Sequence, residues 1–289
     1  MLPVKRLDHV SMAAPDWRAQ SAKLERLLGF KHLHSFEPSE ATPFEGSVSQ
    51  VRGTGIEFEI IAPWRGTGFV QQFLEQNGPG LHHVTIEVHD IEAAAAALEG
   101  MGIRPFGGIT EDGMWRLTYI HPNDSGGILW QLFVPLRMPP DADRNAGGGA
   151  VNVLRMDHVS MAVPELDRQV EWQTRVFGME ENSRWRDDAQ EYEGVTMTIP
   201  GSLLQFEIIA PTTPTSFVRK FLDARRAGMH HICCEVASVE DAIAGLRAEG
   251  IEPHGGGSAI TDPRWKRHTF LHPRDSGGVL FQLFEEPAG

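Results

Sequence analysis

The hydrophobic pattern alternates over short runs and then switches to helical spacing, again and again along the chain. In Gly80-Leu81-His82-His83-Val84-Thr85-Ile86-Glu87-Val88, successive side chains take opposite faces of a strand. His83, Thr85 and Glu87 therefore share one face, and His82 points the other way. A near copy, Gly228-Met229-His230-His231-Ile232-Cys233-Cys234-Glu235-Val236, lies further on. Residues 5–13 also read as a strand. From Asp16 to Leu28, Trp17, Leu24, Leu27 and Leu28 fall at helical spacing with the small Ser21 on the same face, and Gly29 stops the helix. Strands near 31–36, 46–52 and 56–62 and a helix near 68–76 follow. Next come strand 81–88, an alanine-rich helix over 90–101, and strands near 104–107, 115–121 and 128–134. The second half reads the same way: strand 154–162, helix 165–177, strands to 211, strand 230–236, helix 239–249, strands to 284. Single helices among runs of strands predict an α+β fold whose sheets curl into cups, with a concave face for a ligand.

An internal repeat organises this pattern. His9-Val10-Ser11-Met12-Ala13 recurs as His158-Val159-Ser160-Met161-Ala162. Phe58-Glu59-Ile60-Ile61-Ala62-Pro63 recurs as Phe206-Glu207-Ile208-Ile209-Ala210-Pro211. His121-Pro122-Asn123-Asp124-Ser125-Gly126-Gly127 recurs as His272-Pro273-Arg274-Asp275-Ser276-Gly277-Gly278. With the strand pair above, four landmarks keep their order at an offset of 148 to 151 residues. The chain is a tandem duplication. The expected domains are 1–136 and 153–289, each of two strand–helix–strands units, joined by a Pro- and Gly-rich linker over 137–152.

Composition narrows the partners. A length of 289 residues suits one large or two medium domains, and 41% hydrophobic with 22% charged residues suits a globular core. A net charge of −13 argues against nucleic acid or an anionic membrane. The two cysteines, Cys233 and Cys234, are strand neighbours facing opposite ways, so no ordinary disulfide is expected between them. The opening Met1-Leu2-Pro3-Val4-Lys5-Arg6 has no apolar signal region, and no stretch is long enough to span a bilayer. A cytoplasmic protein is expected.

The candidate chemistry sits on strands. His9 lies on the first strand of unit one and Glu59 on its last; His83 lies on the first strand of unit two and Gln131 on its last. The second half offers His158, Glu207, His231 and Gln282 in the same order. Two imidazoles, a carboxylate and an amide oxygen make a mixed N/O set that suits Zn, Ni, Co, Mn or Fe(II). A single buried histidine more often serves as a hydrogen-bonded core residue, and a strand-borne Glu or Gln also fits a water-facing edge. Recurrence decides for a metal site: all four identities persist in both halves while the surrounding sequence has drifted.

Leu7-Asp8-His9-Val10, Gly80-Leu81-His82-His83-Val84 and His272-Pro273-Arg274-Asp275-Ser276-Gly277-Gly278-Val279-Leu280 resemble the vicinal oxygen chelate superfamily. It comprises glyoxalases, epimerases, extradiol dioxygenases and antibiotic-resistance proteins. Within it the chain is most similar to the methylmalonyl-CoA epimerases and to glyoxalase I. The resemblance covers nearly the whole chain outside the linker, twice. It implies βαβββ units in cupped mixed sheets, a metal held by the four strand positions of each half, and a bidentate oxygen substrate. It also implies one chain imitating a dimer of single-domain relatives, as a monomer or a homodimer. Two departures stand out. The epimerases usually carry Glu at the last ligand position, where this chain has Gln131 and Gln282; its carboxylate sits at the second position, as in glyoxalase I. The strand Gly46-Ser47-Val48-Ser49-Gln50-Val51-Arg52 also lacks an acid to remove an α-proton. Glu87 and Glu235, on the faces of His83 and His231, are the substitute bases; solvated strand ends are the alternative reading. Trp115-Arg116, Trp265-Lys266, His121 and His272 also repeat and are candidate substrate-binding residues, a cation beside an aromatic being suited to a carboxylate or phosphate.

The expected activity is a divalent-metal-dependent isomerase or lyase that stabilises the enolate of a small carbonyl or acyl-thioester substrate. The alternatives are an Fe(II) extradiol ring-cleaving dioxygenase and a small-molecule-binding resistance protein without turnover.

Overall fold

The first strand of each repeat is buried on both faces, and the sheets are built outward from it. The computed structural model of the chain describes residues 1–39, 42–111, 114–136, 147–254 and 267–286. The first half runs β1 (Val4–Ala13), α1 (Trp17–Leu28), β2 (Lys31–Phe36), β3 (Phe44–Gln50), β4 (Glu57–Pro63) and α2 (Gly68–Asn77). It continues through β5 (Gly80–Val88), α3 (Ile91–Gly100), β6 (Phe106–Glu111), β7 (Trp115–Ile120) and β8 (Leu129–Pro135). The second half runs β9 (Val153–Ala162), α4 (Leu166–Phe177), β10 (Glu180–Asp187), β11 (Tyr192–Thr198), β12 (Gln205–Pro211) and α5 (Phe217–Arg225). It closes with β13 (Gly228–Val236), α6 (Val239–Ala248), β14 (Arg267–Leu271), the short α7 (Pro273–Ser276) and β15 (Phe281–Glu285).

Two mixed sheets result, and each is built from one half of the sequence. The first has the order β2-β3-β4-β1-β5-β8-β7-β6 and the second β10-β11-β12-β9-β13-β15-β14. The α+β class and the repeated strand–helix–strands unit therefore stand as expected. Boundaries moved by a few residues. The strand expected at 104–107 forms instead at Phe106–Glu111, because Pro105 offers no N–H to a ladder.

Local sequence explains the helices. Asp16 caps α1, accepting hydrogen bonds from the Arg18 and Ala19 amides, and Gly29 ends it in the left-handed conformation at φ 72°. The buried face of α1 includes the expected Trp17, Ser21, Leu24, Leu27 and Leu28, and also Gln20. Gln20 is accommodated because its Nε2 donates to the Ser276 carbonyl at 2.8 Å.

By packing, the chain divides into two compact units. One comprises Met1–His9, His82–Pro140 and His158–His230, the other Val10–Leu81, Asp141–Asp157 and His231–Gly289. Four of the divisions fall inside β1, β5, β9 and β13 themselves. In the first unit Trp130 packs on Phe177 and Phe206, with ring centroids 4.5 and 5.3 Å away. There Gln169 Nε2 donates to the Ser125 carbonyl at 3.0 Å. In the second unit Phe30, Phe58 and Phe281 pack together, with Gln20 on Ser276 as the matching hydrogen bond. Among the described residues no helix is long and apolar enough to cross a membrane. Cys233 and Cys234 are buried and form no disulfide, as their strand placement implied. Ten residues of the expected linker, 137–146, lie outside the described residues.

Candidate metal centres

The strand order sets four residues of the first half beside one another. Glu59 on β4, His9 on β1 and His83 on β5 come from three adjacent strands, and Gln131 comes from β8, which pairs with β5. His9, Glu59 and His83 are buried and offer donor atoms within 4.8 Å of one another. Gln131 joins them through Thr85, its register neighbour on β5. Thr85 Oγ1 stands 2.9 Å from both Gln131 Oε1 and His9 Nε2 and can give its one proton to either.

The supporting layer fixes the chemical state of the histidines. Asp8 Oδ2 lies 2.8 Å from His9 Nδ1. A carboxylate there holds a proton on Nδ1 and turns the Nε2 lone pair toward the donors, the arrangement found behind metal-bound histidines. Burial disfavours a charged Asp8, but His9 and Arg6 outweigh it and hold the carboxyl below its usual range. Arg6 in turn bonds both Asp8 and Glu87. Burial, with His82 and His9 nearby, pushes the His83 imidazole well below its usual 6.5, so it is a neutral, lone-pair donor at pH 7.

The second half repeats the set. His158, Glu207 and His231 are buried, with donor atoms within 4.8 Å of one another, and His158 Nε2 is 3.6 Å from Glu207 Oε1. Gln282 is the register partner of Cys233, as Gln131 is of Thr85. Donors bound to one zinc-like ion at about 2.1 Å stand roughly 3–4 Å apart. Two imidazoles and one carboxylate, buried together at this spacing, fit a divalent transition metal.

The remaining expected residues scatter. Glu87 lies four residues along β5 from His83, about 13 Å at strand spacing. Its two carboxylate oxygens are held by Lys5 Nζ at 2.5 Å and Arg6 Nε at 2.7 Å. Glu235 is held likewise by Arg155 Nε at 2.5 Å. Trp115 does reach the first centre, its ring centroid 5.7 Å from that of His9. Arg116, its strand neighbour, takes the opposite face and pairs with Glu92 and Glu111. His121 and His272 cap the short helical turns that follow them, each Nδ1 accepting an amide N–H at 3.1 Å. Trp265 and Lys266 lie outside the described residues.

Comparison with known proteins places this geometry. The sequence profile of the Glyoxalase/Bleomycin resistance protein/Dioxygenase superfamily matches residues 8–119 and again 157–266. The chain belongs to that superfamily. The mitochondrial methylmalonyl-CoA epimerase of Homo sapiens is 31% identical over 145 residues, covering 47% of this chain and 76% of that protein. Its Bos taurus counterpart is 30% identical over 175 residues, 59% of this chain and 98% of that one. A triple mutant of 4-hydroxymandelate synthase from Streptomyces coelicolor superposes with a TM-score of 0.74 at 17% identity, covering 100% of this chain and 94% of that chain. At that identity the likeness is one of fold.

Within this member of the superfamily, four centre-lining residues escaped the sequence reading. Asp8 and Asp157 recur in both halves, so the repeat carried a signal for them. Thr85 and Tyr119 do not recur: Cys233 and Phe270 take the equivalent register positions. Tyr119 Oη is 3.4 Å from Gln131 Nε2. A test based on recurrence passes over such positions.

Proposed function

We propose that this chain is a divalent-metal-dependent isomerase of the superfamily, epimerase-like, with one centre in each half (1–136 and 153–289). The substrate in this reading is a small acyl thioester or carbonyl compound bearing an acidic C–H. The observation that carries it is the duplicated buried set: His9, Glu59, His83 and Gln131, and His158, Glu207, His231 and Gln282. Identity of 30% to the Bos taurus methylmalonyl-CoA epimerase over 59% of the chain supports the acyl-thioester class. The metal, when bound, would supply a Lewis acid for the substrate oxygens and for the charge that develops as the α-proton leaves.

The chain's own residues supply the rest. Asp8 and Thr85 aim His9; Trp115 walls the first centre beside His9 and keeps water from the reacting carbon. Glu87 and Glu235, pinned in ion pairs, hold Arg6 and Arg155 against Asp8 and Asp157 rather than accept the substrate's proton.

Two histidines with one carboxylate are also the ligand set of non-haem Fe(II) oxygenases, which favours a ring-cleaving dioxygenase as the second reading. One experiment separates them. Metal-free protein is reconstituted separately with Zn, Ni, Co and Fe(II). Solvent deuterium uptake into acyl-CoA thioesters and 2-oxo acids is then followed beside oxygen consumption with catechols. Exchange with redox-inactive zinc supports the isomerase. Oxygen uptake confined to the iron form overturns it.

A further inference from the structure

The two halves repeat their donors but not the strand next to the glutamine. In the first half Tyr119 on β7 is the register partner of Gln131 on β8, and Leu117 that of Phe133. In the second half Phe270 on β14 pairs with Gln282 on β15, and His268 with Phe284. His268 is thus the counterpart of Leu117. Opposite residues of an antiparallel pair share a face, so His268 stands on the face of Gln282. The other face of β14 is turned to the helices: Arg267 pairs with Glu240 on α6, as Arg116 on β7 pairs with Glu92 on α3. The first half shows what the position overlooks. Leu117 lies between two side chains of its own face that reach the first centre. The Trp115 ring is 5.7 Å from that of His9, and Tyr119 Oη is 3.4 Å from Gln131 Nε2. A second position changes in the same sense: His254 bridges to Phe270 where Phe106 pairs with Tyr119. Two apolar positions beside the first centre, Phe106 and Leu117, are therefore imidazoles beside the second.

Of the two, His254 is exposed and His268 half-buried, its ring edge-on to Phe270 at 5.2 Å. His268 is the diagonal neighbour of Gln282, about 7 Å away across the strand pair. Phe270 and Phe284 flank it, His254 stands beyond Phe270, and Glu235, level with Phe284 on β13, is held by Arg155. Burial keeps the His268 imidazole below its ordinary 6.5, so at pH 7 it is neutral and offers a lone pair. With Glu87 and Glu235 held in ion pairs, the isomerase reading above lacks a base, and a base must reach the proton it removes. We propose that His268 is the proton-transfer residue of the second centre, and that the first centre, with Leu117 in its place, removes no proton. This rests on the isomerase reading. A ring nitrogen takes the α-proton, the C–H electron pair becomes the enolate double bond, and the carbonyl electrons move onto the substrate oxygen. The imidazolium exchanges with solvent and returns a proton to the carbon.

The test has one readout without turnover and one with it. Full-length protein is loaded with zinc, and oxalate serves as a planar dianionic mimic of the enolate. In His83→Ala, which keeps the second centre alone, oxalate binding at pH 7 takes up protons, read by calorimetry in buffers of different ionisation enthalpy. Adding His268→Gln leaves zinc and oxalate binding in place and abolishes that uptake. His231→Ala, which keeps the first centre alone, shows none, and Leu117→His introduces it there, which keeps the test valid if His268→Gln folds poorly. Proton uptake unchanged by His268→Gln overturns the inference. Solvent deuterium uptake into acyl-CoA thioesters is followed on the same variants. Exchange is expected at the second centre and falls about 100-fold or more in His268→Gln. Exchange that survives His268→Gln, or that belongs to the first centre, overturns the inference and leaves the isomerase reading intact. Exchange by no zinc-loaded form overturns the isomerase reading itself.

Discussion

Asp8 stands directly behind His9, its Oδ2 2.8 Å from the imidazole Nδ1, and so decides which ring nitrogen faces the donors. Removing such a partner typically weakens metal binding about 10–100-fold. Asp8→Asn is therefore expected to weaken the first centre by that factor and leave the second unchanged. Competition with a chromophoric chelator, run on Asp8→Asn and Asp157→Asn side by side, measures both. Equal affinity in wild type and variant would remove Asp8 from the supporting layer.

The donors should act as two separable sets. His83→Ala is expected to halve the bound metal from two equivalents to one, and His231→Ala to remove the other. Elemental analysis after dialysis reads the outcome. A double loss from either single change would show that the centres are not independent.

Trp115 provides an optical reporter of the first centre, since its ring lies 5.7 Å from that of His9. Binding of Co(II) or Ni(II) is expected to quench tryptophan emission, and Trp115→Phe to abolish most of the quenching that comes from the first centre. Undiminished quenching in the variant would place the bound metal elsewhere.

The histidines next to the donors make the metal-free fold acid-sensitive. Burial lowers both His82 and His230 to about 4 from an ordinary 6.5. The unfolded chain therefore takes up protons on these residues before the folded protein does. Stability is expected to be highest above pH 6.5 and to fall as the pH drops from there to about 4. Urea unfolding of metal-free protein across that window measures it. His230→Leu, which deletes one of the two groups, should flatten the slope.

Both cysteines are completely buried, and burial pushes the Cys234 thiol up. Neither is expected to react with a soluble disulfide reagent until the protein is unfolded in denaturant. Rapid labelling of native metal-free protein would contradict the packing of β13.

Much of the site is written in the sequence because strand alternation is local. A period of two assigns His83, Thr85 and Glu87 to one face without knowing any partner. The duplication supplies an internal comparison, which picked out His9, Glu59, His83 and Gln131 with their counterparts. Helix α1 was legible for the same reason: Asp16, Gly29 and the Leu24, Leu27 and Leu28 face are all short-range signals.

What the sequence could not decide are pairings between distant strands. That β1 lies beside β5, joining the two units of the first half in one sheet, depends on hydrogen bonds between residues some 75 positions apart. No local period encodes them. The fate of Glu87 was hidden likewise, because the cations that hold it, Lys5 and Arg6, sit on another strand. Trp115 and Arg116 are sequence neighbours, yet the sheet turns one toward His9 and the other toward Glu92. The sequence by itself determined the elements, the duplication and the residues proposed as donors. Only the tertiary structure decided which side chains stand around the donors, since that follows from long-range strand pairing rather than from any pattern along the chain.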